Sequence, residues 1–173
     1  MNDRPRIPGG ERGVLTGSAR FAVIAAIQRQ YQLRWDGIHG IAHLERVREN
    51  GLRLAERTGA RSDVVELFAY FHDACRLNDA RDPDHGPRGA ALARQFAGEA
   101  FLIDPEGLDL LGEACTGHTR GETVAEITVA TCWDADRLDL ARVGKTPRPD
   151  LLCTDAARDQ AIIAWASARS LRR

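Results

Sequence analysis

The sequence predicts an all-α, single-domain helical bundle. Three observations carry the prediction. Apolar residues recur at near-helical spacing along most of the chain. No alternating strands appear between those segments. Capping residues, Gly and Pro punctuate the pattern at helix-length intervals. The chain has 173 residues, 43% of them hydrophobic and 28% charged, enough to bury one core and typical of one domain.

The elements follow in order. Residues 1–18 are polar and rich in Gly, Pro and Arg, and read as a flexible leading segment before a domain at 19–173. From Phe21 to Leu33 a first helix places Phe21, Ile24, Ala25, Ile27 and Tyr31 inward. Trp35-Asp36-Gly37 breaks it. A second helix runs from about Ile41 to Thr58, with Leu44, Val47, Gly51, Leu54 and Ala55 inward and Gly59 ending it. Ser62 caps a third helix, whose nearly continuous apolar run from Val64 to Phe71 predicts a buried central position. The polar stretch from Arg76 to Gly86 is a loop, and Pro87 opens the next helix. Asp104-Pro105 caps another, reaching about Thr116. Thr123 and Glu126 have capping-box spacing and open a helix through Ile127, Ala130, Trp133 and Leu138. After an irregular connection at Pro147 and Pro149, Thr154-Asp155 caps a last amphipathic helix. The total is about six to eight helices.

Bulk properties exclude several functions. The formal net charge of −1 provides no global field for nucleic acid or an anionic membrane, and no basic stretch is interleaved with aromatics. No nucleic-acid polymer is expected as a partner. No apolar run approaches a membrane span, and the N-terminal stretch lacks a signal-peptide core, so cytoplasm is the expected location. Cys75, Cys115, Cys132 and Cys153 are scattered, which suits free structural thiols.

The chemistry concentrates in the histidines. All five, His39, His43, His72, His85 and His118, fall between Trp35 and Arg120. His39 and His43 are four apart, one side of a helix if it begins early enough. His72-Asp73 ends the most apolar segment, where an ionisable pair is costly unless something such as a divalent cation compensates it. A second acidic group, Asp134, Asp136 and Asp139, lies in an otherwise apolar helix. Of these, Asp139 reads as a solvated charge or an ion pair.

The strings HGIAHLERV, LFAYFHDACRLND, DHGPRGAALA, ACTGHT and CWDADRLDLARVG carry a further reading. In the order H…HD…D they resemble the HD superfamily of metal-dependent phosphohydrolases, over about Trp35 to Gly144. The resemblance implies a bundle of the HD-domain type and metal ligands at His43, His72, Asp73 and Asp136, with His85 and His118 as ligands for a second ion. One or two divalent ions, of Mn, Fe, Co, Ni, Mg or Zn, are expected. The implied reaction is attack of metal-activated water on a phosphorus centre of a small phosphorylated molecule, a nucleotide or phosphate monoester. Asp73, Asp79 and Arg76 are the catalytic candidates. Arg88, Arg120 and His39 are candidates for substrate contact, His39 also for orienting a ligand. Related hydrolases often carry an acidic residue where Arg76 stands, a departure that weakens transfer of their general base. Six candidate ligands also match a second HD chemistry, a mixed-valence di-iron oxygenase that cleaves a C–C or C–P bond. A non-catalytic nucleotide-binding domain is the third alternative.

Overall fold

A computed structural model describes residues 14–172. Among them are eight α-helices: α1 (Gly17–Gln28), α2 (Ile41–Thr58), α3 (Ser62–Phe71), α4 (His85–Phe96), α5 (Pro105–Gly117), α6 (Ile127–Arg137), α7 (Asp155–Arg158) and α8 (Gln160–Ser170). Two short 3-10 turns, Leu140–Val143 and Pro149–Leu151, complete the order, and no strand is present among the described residues beyond one isolated bridge between Ala97 and Phe101. The all-α expectation holds. Gly17 and Ser18, assigned to the leading segment, begin α1; residues 1–13 of that segment lie outside the described residues.

Helix α3 is the centre of the bundle. Every residue from Val64 to Phe71 is buried, Glu66 included, so this stretch has no solvent face. Around it α2, α4, α5 and α6 supply Leu44, Val47, Ala90, Leu92, Leu111, Cys115, Val129 and Trp133 to one core. A smaller second core joins Leu54 and Leu138 to Leu152, Ala157, Ile162, Ile163 and Ala166, which docks α7 and α8 on the outside of α2 and α6.

The boundaries show which local signals won. Helix α2 matches its expected limits, ending at Gly59 with φ of 75°, a left-handed cap that glycine adopts without a Cβ penalty. Helix α1 starts and ends earlier than its apolar pattern suggests. Thr16 caps it by accepting from the Ala19 amide, and Val23, Ala26 and Ile27 face the core while Phe21 is 74% exposed. The Thr123–Glu126 box does not form. Glu126 is itself the cap of α6, its carboxylate accepting from the Thr128 and Val129 amides. Thr154 caps α7, a single turn, and Asp159 then caps α8, so the last helix is two. Helix α4 begins two residues before Pro87, at His85.

Two glycines on α4 set the approach that matters for the site. A Cβ at Gly89 would stand 2.2 Å from the Phe71 carbonyl oxygen, and one at Gly86 would stand 2.2 Å from that of Cys115. Bare backbone here lets the start of α4 lie directly against the ends of α3 and α5, where His72 and His118 sit.

A buried histidine–aspartate cluster

Each histidine stands at a helix end or beside one. His72 is the C-cap of α3 and His118 the C-cap of α5, while His85 is the first residue of α4. His43 lies in the first turn of α2. His39 precedes that helix, which begins at Ile41, so it does not share a helical face with His43; a turn brings it in instead, with the Gly37 amide bonded to the Arg34 carbonyl and the Ile41 amide to that of Trp35.

All five converge on Asp73. Its Oδ2 lies 2.8 Å from His39 Nδ1, 3.6 Å from His43 Nε2 and 3.8 Å from His72 Nε2. Its other oxygen, Oδ1, lies 3.0 Å from His85 Nε2 and 3.7 Å from His118 Nε2. Asp136 Oδ1 closes the first group, 3.5 Å from His43 Nε2 and 3.8 Å from His72 Nε2. The geometry makes two half-sites, His43/His72/Asp136 and His85/His118, each facing one oxygen of Asp73.

The donor chemistry fits a metal. His72 Nδ1 donates to the carbonyls of Phe68 and Ala69, each at 3.1 Å, His118 Nδ1 to Cys115 at 2.7 Å, and His85 Nδ1 to Asp82. His43 Nδ1 donates to Asp139 Oδ2 at 2.7 Å. Those partners assign the proton to Nδ1 and leave a lone pair on each Nε2. The lone pairs then point at one another, with His43 and His72 Nε2 atoms 3.1 Å apart and those of His85 and His118 2.9 Å apart. Neutral imidazoles aimed nose to nose repel unless a cation lies among them, and fixing the far nitrogen is how proteins orient a metal-binding histidine.

Burial sharpens the electrostatics. It pushes the His72 pKa down to about 3 and lowers that of His43 as well, keeping both neutral as ligands must be. Burial alone would raise the Asp73 carboxyl, yet His72 beside it and the close approach of His118, His39 and His85 hold it well below the ordinary carboxylate range. His118 moves upward despite its burial because the Asp73 carboxylate faces it. The half-site attracts positive charge.

Asp139 is the residue sequence reasoning undervalued. Its side chain is fully buried, which rules out the solvated reading and leaves the ion pair. Beyond His43, it accepts from Arg46 Nε at 2.7 Å and from Ser170 Oγ at 2.5 Å, tying the end of α8 to a histidine of the cluster. The only sequence signal was an aspartate three residues after Asp136, which does not name its partner.

The other candidates separate. Arg76 is nine-tenths buried and turned into the cluster, with Nη1 3.4 Å from Asp73 Oδ1 and 3.2 Å from His85 Nε2. Arg88 is committed to Asp82, at 2.6 Å, and to the Cys75 carbonyl, so it braces the loop that presents His85. Arg120 is exposed and lines a different cleft with Arg94, Asp109 and Glu122. Asp79 is exposed on the same loop as Arg76.

Comparison with solved structures gives a chain described as a predicted HD superfamily hydrolase from an uncultured Thermotogales bacterium, with a TM-score of 0.65 at 24% identity over 84% of this chain and 83% of that one. This chain has the HD-superfamily hydrolase fold. Among curated proteins, the bifunctional uridylyltransferase/uridylyl-removing enzymes of Neisseria gonorrhoeae and Neisseria meningitidis are 28% identical over 138 residues, covering 65% of this chain. The chain spans 16% of the length of those relatives. No family profile matches. In the HD fold, the doublet His72-Asp73 thus ends the central helix and lies within the buried cluster. No helix among the described residues is long and apolar enough to cross a membrane.

Proposed function

We propose that this protein is a metal-dependent phosphohydrolase acting on a small phosphorylated molecule, a nucleotide or a phosphate monoester. One observation carries the reading: Asp73 offers its two oxygens to two groups of histidines whose Nδ1 atoms are already engaged. His43, His72, Asp136 and Asp73 would hold a first divalent ion, and His85 and His118 would face a second across Asp73. A bound divalent ion supplies Lewis acidity toward water and the phosphoryl group.

The chain's own residues do the rest. Asp139 and the carbonyls of Phe68, Ala69, Asp82 and Cys115 fix the imidazole orientations. His39 holds Asp73 Oδ2 through Nδ1. Arg76 brings the positive charge that neutralises phosphoryl oxygens; of the three candidate arginines it is the one bonded to the cluster. Asp136, with 19% of its side chain exposed, marks the open side, where a substrate has access. The HD-hydrolase fold supports this reading, as does a relative whose name records removal of a uridylyl group.

The test is a screen of nucleotides and phosphate monoesters with Mn, Co, Mg and Fe, reading phosphate or pyrophosphate release. Release that depends on the metal and disappears in Asp73→Ala is the expected result. A second reading, a di-iron oxygenase, has its own support in the four histidines and two aspartates of the half-sites. Oxygen uptake by an iron-loaded form, with no phosphate release under any metal, would favour it.

A further inference from the structure

The two half-sites differ in one respect that the ligand set does not show: a guanidinium is built into one of them. Arg76 lies three residues after Asp73, and its Nη1 donates both to Asp73 Oδ1 and to His85 Nε2. Its remaining nitrogens are pinned, Nη2 to the Ala80 carbonyl at 2.7 Å and Nε to that of Asn78 at 3.3 Å. The loop therefore closes over the side chain and fixes its charge in place. Among the described residues no arginine bonds to a ligand oxygen on the His43/His72 side; Arg46 and Arg142 are both turned to Asp139.

Charge balance gives this placement a consequence. With neutral histidines, the carboxylates of Asp73 and Asp136 against the Arg76 guanidinium leave a single net negative charge on the groups that face the two half-sites, Asp139 behind them being paired with Arg46 and Arg142. One divalent cation already overcompensates it. A second would leave several uncompensated positive charges in a low-dielectric site, next to a guanidinium bonded to two of its ligand atoms. An anion that brings negative charge, such as a phosphate, restores the balance.

We infer that Arg76 is the resident cation of the His85/His118 half-site, so that the resting protein holds one divalent ion tightly, at His43, His72, Asp136 and Asp73, and takes a second only together with a phosphate-like anion. This rests on the metal-dependent reading above and refines its stoichiometry. Binding of the second ion and of the anion are then thermodynamically linked, each strengthening the other.

The experiment is a calorimetric titration of metal-stripped protein with Mn, with and without inorganic phosphate, on the wild type, Arg76→Met and Arg76→Lys. The wild type is expected to bind one equivalent tightly and a second at least about tenfold more weakly, within the usual range of coupling between sites. Phosphate should narrow that gap, Arg76→Met should narrow it without phosphate, and Arg76→Lys, which keeps the charge, should preserve it. Two equivalents of equal affinity in the wild type would overturn the inference. So would a gap that neither phosphate nor Arg76→Met changes. If Arg76→Met fails to fold, the phosphate arm on the wild type decides alone. A wild type that binds no metal removes the metal-dependent reading itself, an outcome distinct from the others.

Discussion

Replacing Asp139 by Asn isolates what a buried carboxylate does for His43, a proposed metal ligand. The side chain keeps its volume and one acceptor oxygen, so packing against α8 survives. The carboxamide, however, has one oxygen where four donor contacts converge: His43 Nδ1 at 2.7 Å, Arg46 Nε at 2.7 Å, Arg46 Nη2 at 3.1 Å and Ser170 Oγ at 2.5 Å. Whichever way the amide turns, its NH2 group faces an Arg46 N–H, and His43 keeps at best a neutral acceptor that holds the proton on Nδ1 less firmly. Losing such an outer partner typically weakens metal binding by about 10- to 100-fold, or about 1.4–2.8 kcal/mol. The buried pair with Arg46 is broken as well. That costs at most about 3–5 kcal/mol of stability, and less here because the Arg46 side chain retains 17% exposure. Chelator competition with Co or Mn measures the first effect, and thermal unfolding of the stripped protein the second. Metal affinity within twofold of wild type in a folded Asp139→Asn protein would refute the reasoning.

Three further outcomes are expected. Asp73→Ala removes an oxygen from both half-sites and should abolish activity more completely than Asp139→Ala, which acts only through His43; equal losses in two folded variants would show that Asp139 does more than orient. The stripped protein should lose stability as pH falls from about 6.5 toward 3. The unfolded chain takes up protons in that window, which buried His72, with its pKa near 3, and the lowered His43 refuse. His118, whose pKa is raised, adds stability only as pH falls toward about 6.5 and is level below it, while the depressed Asp73 and Asp136 add a loss as pH falls below the ordinary carboxylate range. Melts that are flat between pH 8 and pH 4 would contradict this sum. Gly86→Ala should destabilise the fold by about 1–3 kcal/mol through overpacking and weaken the His85/His118 half-site, since its Cβ would stand 2.2 Å from the Cys115 oxygen and 3.2 Å from the His118 ring; Gly17→Ala, with nothing within 4 Å, is the neutral control in the same denaturant titration.

Much of this was legible in the sequence because the signals were local. The 3.6-residue period and Gly59 defined α2, and Asp104-Pro105 marked the start of α5, where the Asp104 carboxylate accepts from the Gly107 amide. The nearly continuous apolar run before His72 foretold a buried central helix, and with it a costly ionisable pair at its end. What failed was decided by competition between neighbouring signals or by contacts distant in sequence. Glu126 outcompeted Thr123 as a cap, and Asp159 restarted a helix that Thr154 had begun. Phe21 fits an apolar period, yet α1 turns it outward because Val23 and Ile27 pack on the core. His39 reached the cluster through a turn, which no helical spacing encodes. Asp139 and Ser170 are 31 positions apart, and Asp139 and His43 are 96 apart, separations across which a single sequence shows no pairing. Arg76 was noticed as a departure from an acidic pattern, but its direction depends on carbonyls at Asn78 and Ala80 that only the folded loop presents.

The central claim is that the histidine–aspartate cluster exists to hold divalent metal. Elemental analysis of the protein purified without chelator tests it most directly. The account predicts at least one equivalent of a divalent transition metal per chain, lost in His72→Ala and Asp73→Ala. A folded protein that carries no metal, and takes up none after stripping and exposure to Mn, Fe, Co, Ni and Zn, would contradict it.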